Sequence, residues 1–263
     1  MKERIAECIN ILGTFCGKRD VQSLTVEQLK SKYEIERADV MVLFGGSIMS
    51  GGDVLAGAMK NCIAKKYIIV GGVGHTTESL RVKMHTEFPD IETAGLPEAK
   101  VFENYLEYRC GLHADFLECD STNCGNNITY LLDLLKENKI PCKSIILAQD
   151  ATMQHRMEAG LKKYTKDMQI INFATYKANV IVKNSELAFE NEIWGMWNMD
   201  RYITLLMGEI PRLSDSTDGY GPKGKNYITH VDIPTEVEEA FLMLKEEYSG
   251  MVREANPLYA SIN

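Results

Sequence analysis

Residues 38–53 read ADVMVLFGGSIMSGGD, and this stretch decides the fold. Its apolar first half is long enough for a buried parallel strand and too short for a helix. The strand leads into Gly45, Gly46 and Ser47, and Asp53 is a good N-cap for a following helix. Such a turn favours binding of an anion or polar ligand, because backbone N–H groups there are unpaired and glycine allows close approach. A plain turn whose glycines serve only backbone geometry is the alternative interpretation.

Strands and helices alternate through the first two thirds of the chain. Apolar runs predict strands at residues 39–44, 66–70, 114–117, 143–147 and 168–173, with a helix after each of the first four. This alternation predicts an α/β fold with a Rossmann-like, doubly wound parallel sheet of about five strands.

The ends of the chain show a different pattern. Amphipathic spacing predicts helices at residues 3–16, 190–207 and 234–248, and a short one at 25–32. We therefore predict a Rossmann-like core at 38–173, with 1–37 and 174–263 forming a smaller helical subdomain packed on it.

Composition limits the partners. A net charge of −8 argues against nucleic-acid binding and against adhesion to anionic membranes. The seven cysteines, an odd number without CxxC spacing, indicate free thiols in a reducing compartment. No secretory cleavage site follows the N-terminus, and no apolar run approaches the ~18 residues that span a bilayer. We expect a cytoplasmic protein that binds a small molecule and has no nucleic-acid or membrane partner; protein partners are left open.

The predicted topology gathers polar residues at one edge of the sheet. In an open parallel sheet, ligands bind outside the carboxyl ends of the strands, near the point where strand order reverses. Four loops should meet there. Their candidate binding residues are Gly45, Gly46, Ser47, Gly71, Gly72, Glu118, Ser121, Asn123, Asn127, Gln149, Asp150 and Arg156.

Familiar cofactor motifs are missing from these loops. Neither glycine cluster has the GxGxxG spacing, and the second strand ends without the acidic residue that would hold a ribose. Standard NAD binding is therefore not expected. The five histidines show no paired spacing, so no metal site is predicted.

The most polar loop is residues 118–127, ECDSTNCGNN. A carboxylate, a hydroxyl and three amides stand close together at a helix start, which favours a hydrogen-bonding cluster in the crevice. Helix capping combined with an Asx turn is the alternative interpretation.

These residues resemble the SanA/ElyC/YdcF family, and most closely its soluble YdcF-like branch. The resemblance covers residues 38–173. The matches are two strands ending in Gly45-Gly46 and Gly71-Gly72, the pair Glu98-Ala99, the block Glu118, Ser121, Asn123 and Asn127, and finally Gln149, Asp150 and Arg156.

The resemblance implies a Rossmann-like core that binds S-adenosylmethionine or a similar nucleotide-like ligand, with no assigned reaction. In such a site Glu118 would bond ribose hydroxyls or a ligand ammonium, and the amides would orient polar edges of the ligand. Arg156 would hold a carboxylate or phosphate.

The chain departs from the family pattern at Cys124, Asn126 and Met153, where relatives usually carry threonine, glutamate and often histidine. A histidine-dependent reaction is therefore not implied. Two other functions stay open. One is a hydrolase or phosphoryl-handling enzyme that uses Glu118, Asp150 and Arg156, and the other is a non-catalytic protein that senses a metabolite.

Overall fold

A computed structural model describes residues 1–249. The helices are α1 Lys2–Cys16, α2 Val26–Tyr33, α3 Ser50–Lys60, α4 Thr77–Glu87, α5 Glu98–Cys110, α6 Cys124–Glu137, α7 Gln154–Tyr164, α8 Met199–Leu213 and α9 Thr235–Glu247. The strands are β1 Ala38–Phe44, β2 Ala64–Val70, β3 Phe116–Glu118, β4 Ser144–Ala148, β5 Gln169–Asn172, β6 Val180–Lys183 and β7 Glu186–Phe189.

The central sheet confirms the predicted fold class. Its five strands are all parallel, in the order β3-β2-β1-β4-β5, and helices flank it. Residues 40–44 of β1 and all of β4 are buried, because these apolar runs lie between neighbouring strands under the helices. Strand order reverses between β1 and β4, since the chain moves outward through β2 and β3 before it returns to β4.

Contacts divide the chain into two compact units. The sheet unit comprises residues 19–150 and 167–175, and the second unit comprises 1–18, 151–166 and the described residues from 176 onward. The predicted boundary lay at 38–173, whereas this division assigns 19–37 to the sheet unit and α7 to the second unit. Residues 250–263 of the predicted helical subdomain lie outside the described residues.

The second unit is built around α1. This helix packs against α8 and α9, and its buried stripe includes Ile5, Ile9 and Leu12. The unit also contains an antiparallel hairpin formed by β6 and β7, which the helical pattern did not predict. The side chain of Asn10 in α1 bonds both the N–H and the carbonyl of Val180 in β6, and so joins the helix to the hairpin.

The predicted helix at 190–207 was wrong at its start, since α8 begins at Met199. Gly195 adopts a φ of +78°, which is incompatible with a continuous right-handed helix. Asn198 is the actual N-cap, and its Oδ1 accepts a hydrogen bond of 2.9 Å from the Arg201 N–H.

The N-cap prediction for Asp53 was also wrong. Helix α3 starts at Ser50, so Asp53 lies in its first turn. There its carboxylate accepts a hydrogen bond of 2.5 Å from the Tyr105 hydroxyl. The ring of Tyr105 lies against Gly52, where a Cβ atom would approach it to 2.6 Å.

Within residues 1–249, no helix is both long enough and apolar enough to cross a membrane.

Candidate functional site

The strands of the sheet end level with one another at one edge. The register pairs Phe44 with Val70 and Val70 with Glu118, while Leu43 pairs with Ala148. The loops after β1 and β4 therefore leave the sheet side by side, at the reversal of strand order. This is where ligands bind in open parallel sheets, and we call this edge the crevice.

The glycines after β1 and β2 leave room for a glutamate. A Cβ atom on Gly45 would lie 2.6 Å from Oε2 of Glu98, and one on Gly71 would lie 3.0 Å from the Glu98 Cβ. The first turn of α5 is fixed there because the Glu98 N–H bonds the Gly72 carbonyl at 3.0 Å. The space beside Gly45 and Gly71, which was predicted to accommodate a ligand, is thus also occupied by the side chain of Glu98.

Glu98 is a buried carboxyl group, with 7% of its surface exposed. Its Oε1 accepts hydrogen bonds of 2.9 Å from the hydroxyls of both Thr76 and Thr77. Burial raises the pKa of Glu98, although these two hydroxyls and the charge of Arg81 oppose the shift. Sequence reasoning placed Glu98 in the family pattern but not among the binding residues.

The loop after β3 folds around Glu118. Its Oε1 accepts the backbone N–H groups of Asp120 and Ser121 at 2.6 and 2.9 Å. Its Oε2 is buried, and no described residue hydrogen-bonds it. Ser121 already contacts the protein backbone, because its hydroxyl accepts the Gly72 N–H at 3.2 Å. Its carbonyl would lie 2.1 Å from a Cβ atom on that glycine.

One asparagine of this loop caps the helix that follows it. Asn123 is the N-cap of α6, and its Oδ1 accepts the Asn126 N–H at 3.0 Å. Asn123 Nδ2 also donates to Oδ1 of Asn126 at 2.7 Å. Asn127 is half-buried in the first turn of the helix, where its N–H bonds the Asn123 carbonyl. The capping interpretation therefore holds for Asn123.

Two further buried polar side chains stand at the reversal of strand order. Gln149 is 1% exposed; its Oε1 accepts the Asp150 N–H at 2.6 Å, while no described residue bonds its buried Nε2. Ser47 is also 1% exposed, and its hydroxyl is likewise without a hydrogen-bond partner among the described residues. A Cβ atom on Gly46 would lie 3.8 Å from Oε1 of Gln149, in ordinary van der Waals contact.

The buried charged residue Asp150 directly follows Gln149. Asp150 is 8% exposed, and its charge acts on Lys83 of α4. Burial lowers the pKa of Lys83, and the negative charge of Asp150 opposes that shift.

Arg156 lies in α7 and belongs to the second unit. Its guanidinium holds the Glu209 carboxylate in a two-bond pair, with Nε–Oε2 at 2.5 Å and Nη2–Oε1 at 3.0 Å. Both side chains are largely buried, at 13% and 5% exposure. Glu209 lies 53 residues away along the chain, and no pattern in the sequence predicts that it pairs with Arg156.

A cavity of about 600 Å³ in the sheet unit lies between α4 and the loop that follows it. Its lining includes Arg81, His85 and Ile91 but none of the predicted binding residues. None of the buried polar atoms without a partner lines it, so it does not carry the site.

No protein-family model matches the chain. The resemblance to the SanA/ElyC/YdcF family therefore rests on the quoted residues alone and stays a prediction. In the described part of the chain, no group of three or more His, Cys, Asp and Glu side chains is arranged to hold a metal ion.

Proposed function

We propose that the crevice binds a nucleotide-like small molecule, with S-adenosylmethionine as the first candidate. The observation that supports this is a set of three buried polar atoms at the strand ends. They are Ser47 Oγ, Glu118 Oε2 and Gln149 Nε2, and no described residue hydrogen-bonds any of them.

A buried polar atom without a partner costs about 1–3 kcal/mol, so most such atoms in folded proteins are bonded. A bound molecule that supplies the missing hydrogen bonds would explain why three such atoms occur at one edge of the sheet. They also differ in chemistry. Glu118 can only accept while it is ionised, the Gln149 amide nitrogen only donates, and the Ser47 hydroxyl does both.

The spacing favours a molecule with several linked groups over a single ion. Glu118 ends β3 and Gln149 follows β4, with β2 and β1 between them. Three strand spacings amount to roughly 14 Å. A nucleoside-type ligand suits this span, because its ribose hydroxyls donate at one end and its ring nitrogens or a carboxylate accept at the other.

Thermal unfolding with and without ligands tests the proposal. We expect S-adenosylmethionine and S-adenosylhomocysteine to raise the midpoint, whereas ATP and NAD leave it unchanged. At ~100 times Kd the stabilisation is about 2.7 kcal/mol, which is roughly 5–10 °C for a protein of this size.

Glu118→Gln is the informative variant. Its amide oxygen can still accept the Asp120 and Ser121 N–H groups, but the atom in the Oε2 position becomes a donor. The variant should keep its fold and lose most of the ligand-induced shift. Glu103→Gln is the control, since Glu103 is equally buried and bonds His113 and Ala114 instead. A midpoint that no S-adenosyl compound moves would contradict the proposal.

A further inference from the structure

Glu98 is placed by the backbone of its own helix start. The N–H groups of Glu98 and Ala99 bond the carbonyls of Gly72 and Gly71 at 3.0 and 2.8 Å. This fixes the first turn of α5 against the loop after β2. The carboxyl group then reaches towards the end of β1, where its Oε2 would meet a Cβ on Gly45 at 2.6 Å.

The two carboxyl oxygens of Glu98 have different surroundings. Oε1 already accepts two hydroxyl hydrogen bonds. The hydroxyl of Thr77 accepts the Gly74 N–H at 2.8 Å, so its own hydrogen is available to Glu98. Both of the threonine hydrogen bonds fall on Oε1, and Oε2 is the carboxyl oxygen that lies against Gly45.

This arrangement decides where a proton would reside. Both lone pairs of Oε1 are engaged by the threonine hydroxyls, so a neutral Glu98 carries its hydrogen on Oε2. Burial raises the pKa of Glu98 and thereby favours the neutral form; the threonine bonds and Arg81 act against it. Arg81 of α4 is a charged side chain that acts on Glu98.

We propose that Glu98 contacts the ligand, with its Oε2–H donating a hydrogen bond to an acceptor oxygen or ring nitrogen of the bound molecule. This inference rests on the proposed function of the crevice. It assigns an order of groups along the sheet edge, with an acceptor at Glu118, a donor at Glu98 and a donor at Gln149. The ligand must therefore carry its hydroxyl or ammonium donors at the β3 side and its acceptors nearer to the reversal of strand order.

Glu98→Gln separates the hydrogen bond from the ionisation. Its amide oxygen can accept from the threonines while Nε2 donates, so the donor persists at every pH. We expect calorimetric binding of S-adenosylhomocysteine to wild type to weaken as pH rises through the Glu98 pKa, by up to tenfold per pH unit, because the ionised carboxylate has no donor. The variant should vary less than threefold over the same range of pH, apart from contributions of other groups, which both proteins share.

Glu103→Gln, on the same helix, is the control and should follow wild type across this range. A second measurement needs no variant. Above the Glu98 pKa, wild type should take up close to one proton on binding, which calorimetry in buffers of different ionisation enthalpy detects.

These measurements test the role of Glu98 separately from the proposed function. Wild type and Glu98→Gln with the same pH slope, or binding without proton uptake, overturns the role of Glu98 and leaves the proposed function intact. If wild type does not bind S-adenosylhomocysteine at any pH, the proposed function fails and this inference fails with it.

Discussion

The glycines at the strand ends matter because of what fills the space beside them. Gly72 lies against the backbone of the β3 loop, where a Cβ atom would come within 2.1 Å of the Ser121 carbonyl and 2.7 Å of the Cys119 carbonyl. Backbone atoms cannot swing aside as a long side chain can. The loop that holds Glu118 and the loop that holds Gly72 are therefore in direct contact.

Gly72→Ala should destabilise the fold by about 2–3 kcal/mol, because the added methyl group forces two backbone segments apart. Gly57→Ala in α3 is the matched control. No atom lies within 4 Å of its added Cβ, so the change should stabilise the helix by about 0.4–1 kcal/mol. Urea unfolding of the three proteins measures both effects. Equal stabilities for the two variants would show that the loops move apart freely.

At the level of elements, the pair between Arg156 and Glu209 joins α7 to α8 within the second unit. The charges are desolvated, so each depends on the other. A surface pair of the same chemistry, Arg4 with Glu7, lies in α1 with both side chains 58% exposed. The two pairs allow a matched comparison.

Glu209→Gln should cost about 3–5 kcal/mol, because it leaves a buried guanidinium without its counter-charge. Glu7→Gln should change the stability little, since water screens the exposed pair. Chemical denaturation of the two variants gives both numbers. The double variant Arg156→Met with Glu209→Leu should recover most of the lost stability, and a cost equal to that of Glu209→Gln would contradict the desolvation argument.

The types of the secondary-structure elements were predictable, because apolar runs and the alternation of strands and helices reflect which segments are buried. The residues at which the elements begin and end were less predictable. Strand β2 begins at Ala64, two residues before the predicted start, and β3 lies one to two residues later than predicted. The start of α8 was misplaced because a positive φ at Gly195 depends on the surrounding fold. The β6–β7 hairpin was missed although β6 reads VIVK, because strands of four residues are too short to show a clear periodicity.

For the whole molecule, binding in the crevice predicts a local pattern of protection. The hydrogen-bond ladder continues past the strand ends, with Gly45 N–H on the Val70 carbonyl at 2.7 Å and Gly71 N–H on the Glu118 carbonyl at 2.9 Å. A ligand that bonds the groups beside these amides should make local opening of these hydrogen bonds rarer.

Amide hydrogen exchange with S-adenosylhomocysteine should therefore slow in peptides covering residues 45–47, 118–121 and 149–150. The β6–β7 hairpin in the second unit serves as the internal reference and should exchange at an unchanged rate. Protection spread equally over both units would argue for general stabilisation without a local site.

Much of the candidate site followed from topology, because residues placed after parallel strands must gather at one edge. Ser47, Glu118 and Gln149 are of this kind, although their binding roles stay predictions. Glu98 is different. A glutamate in the first turn of a helix usually complements the helix dipole at the surface, and only the packing against Gly45 and Gly71 shows that it is buried at the strand ends. The order of the strands therefore does not predict which side chains from a helix start will lie at the site.

The position of α1 in the chain has a consequence for synthesis on the ribosome. Helix α1 ends at Cys16, yet α9, which covers its apolar stripe, begins only at Thr235. At 5–20 residues per second, roughly 10–45 s pass before that partner emerges. Throughout this time part of the apolar stripe of α1 stays uncovered, which is the kind of surface that chaperones bind. Premature termination before α9 would leave that part exposed and mark the product for degradation.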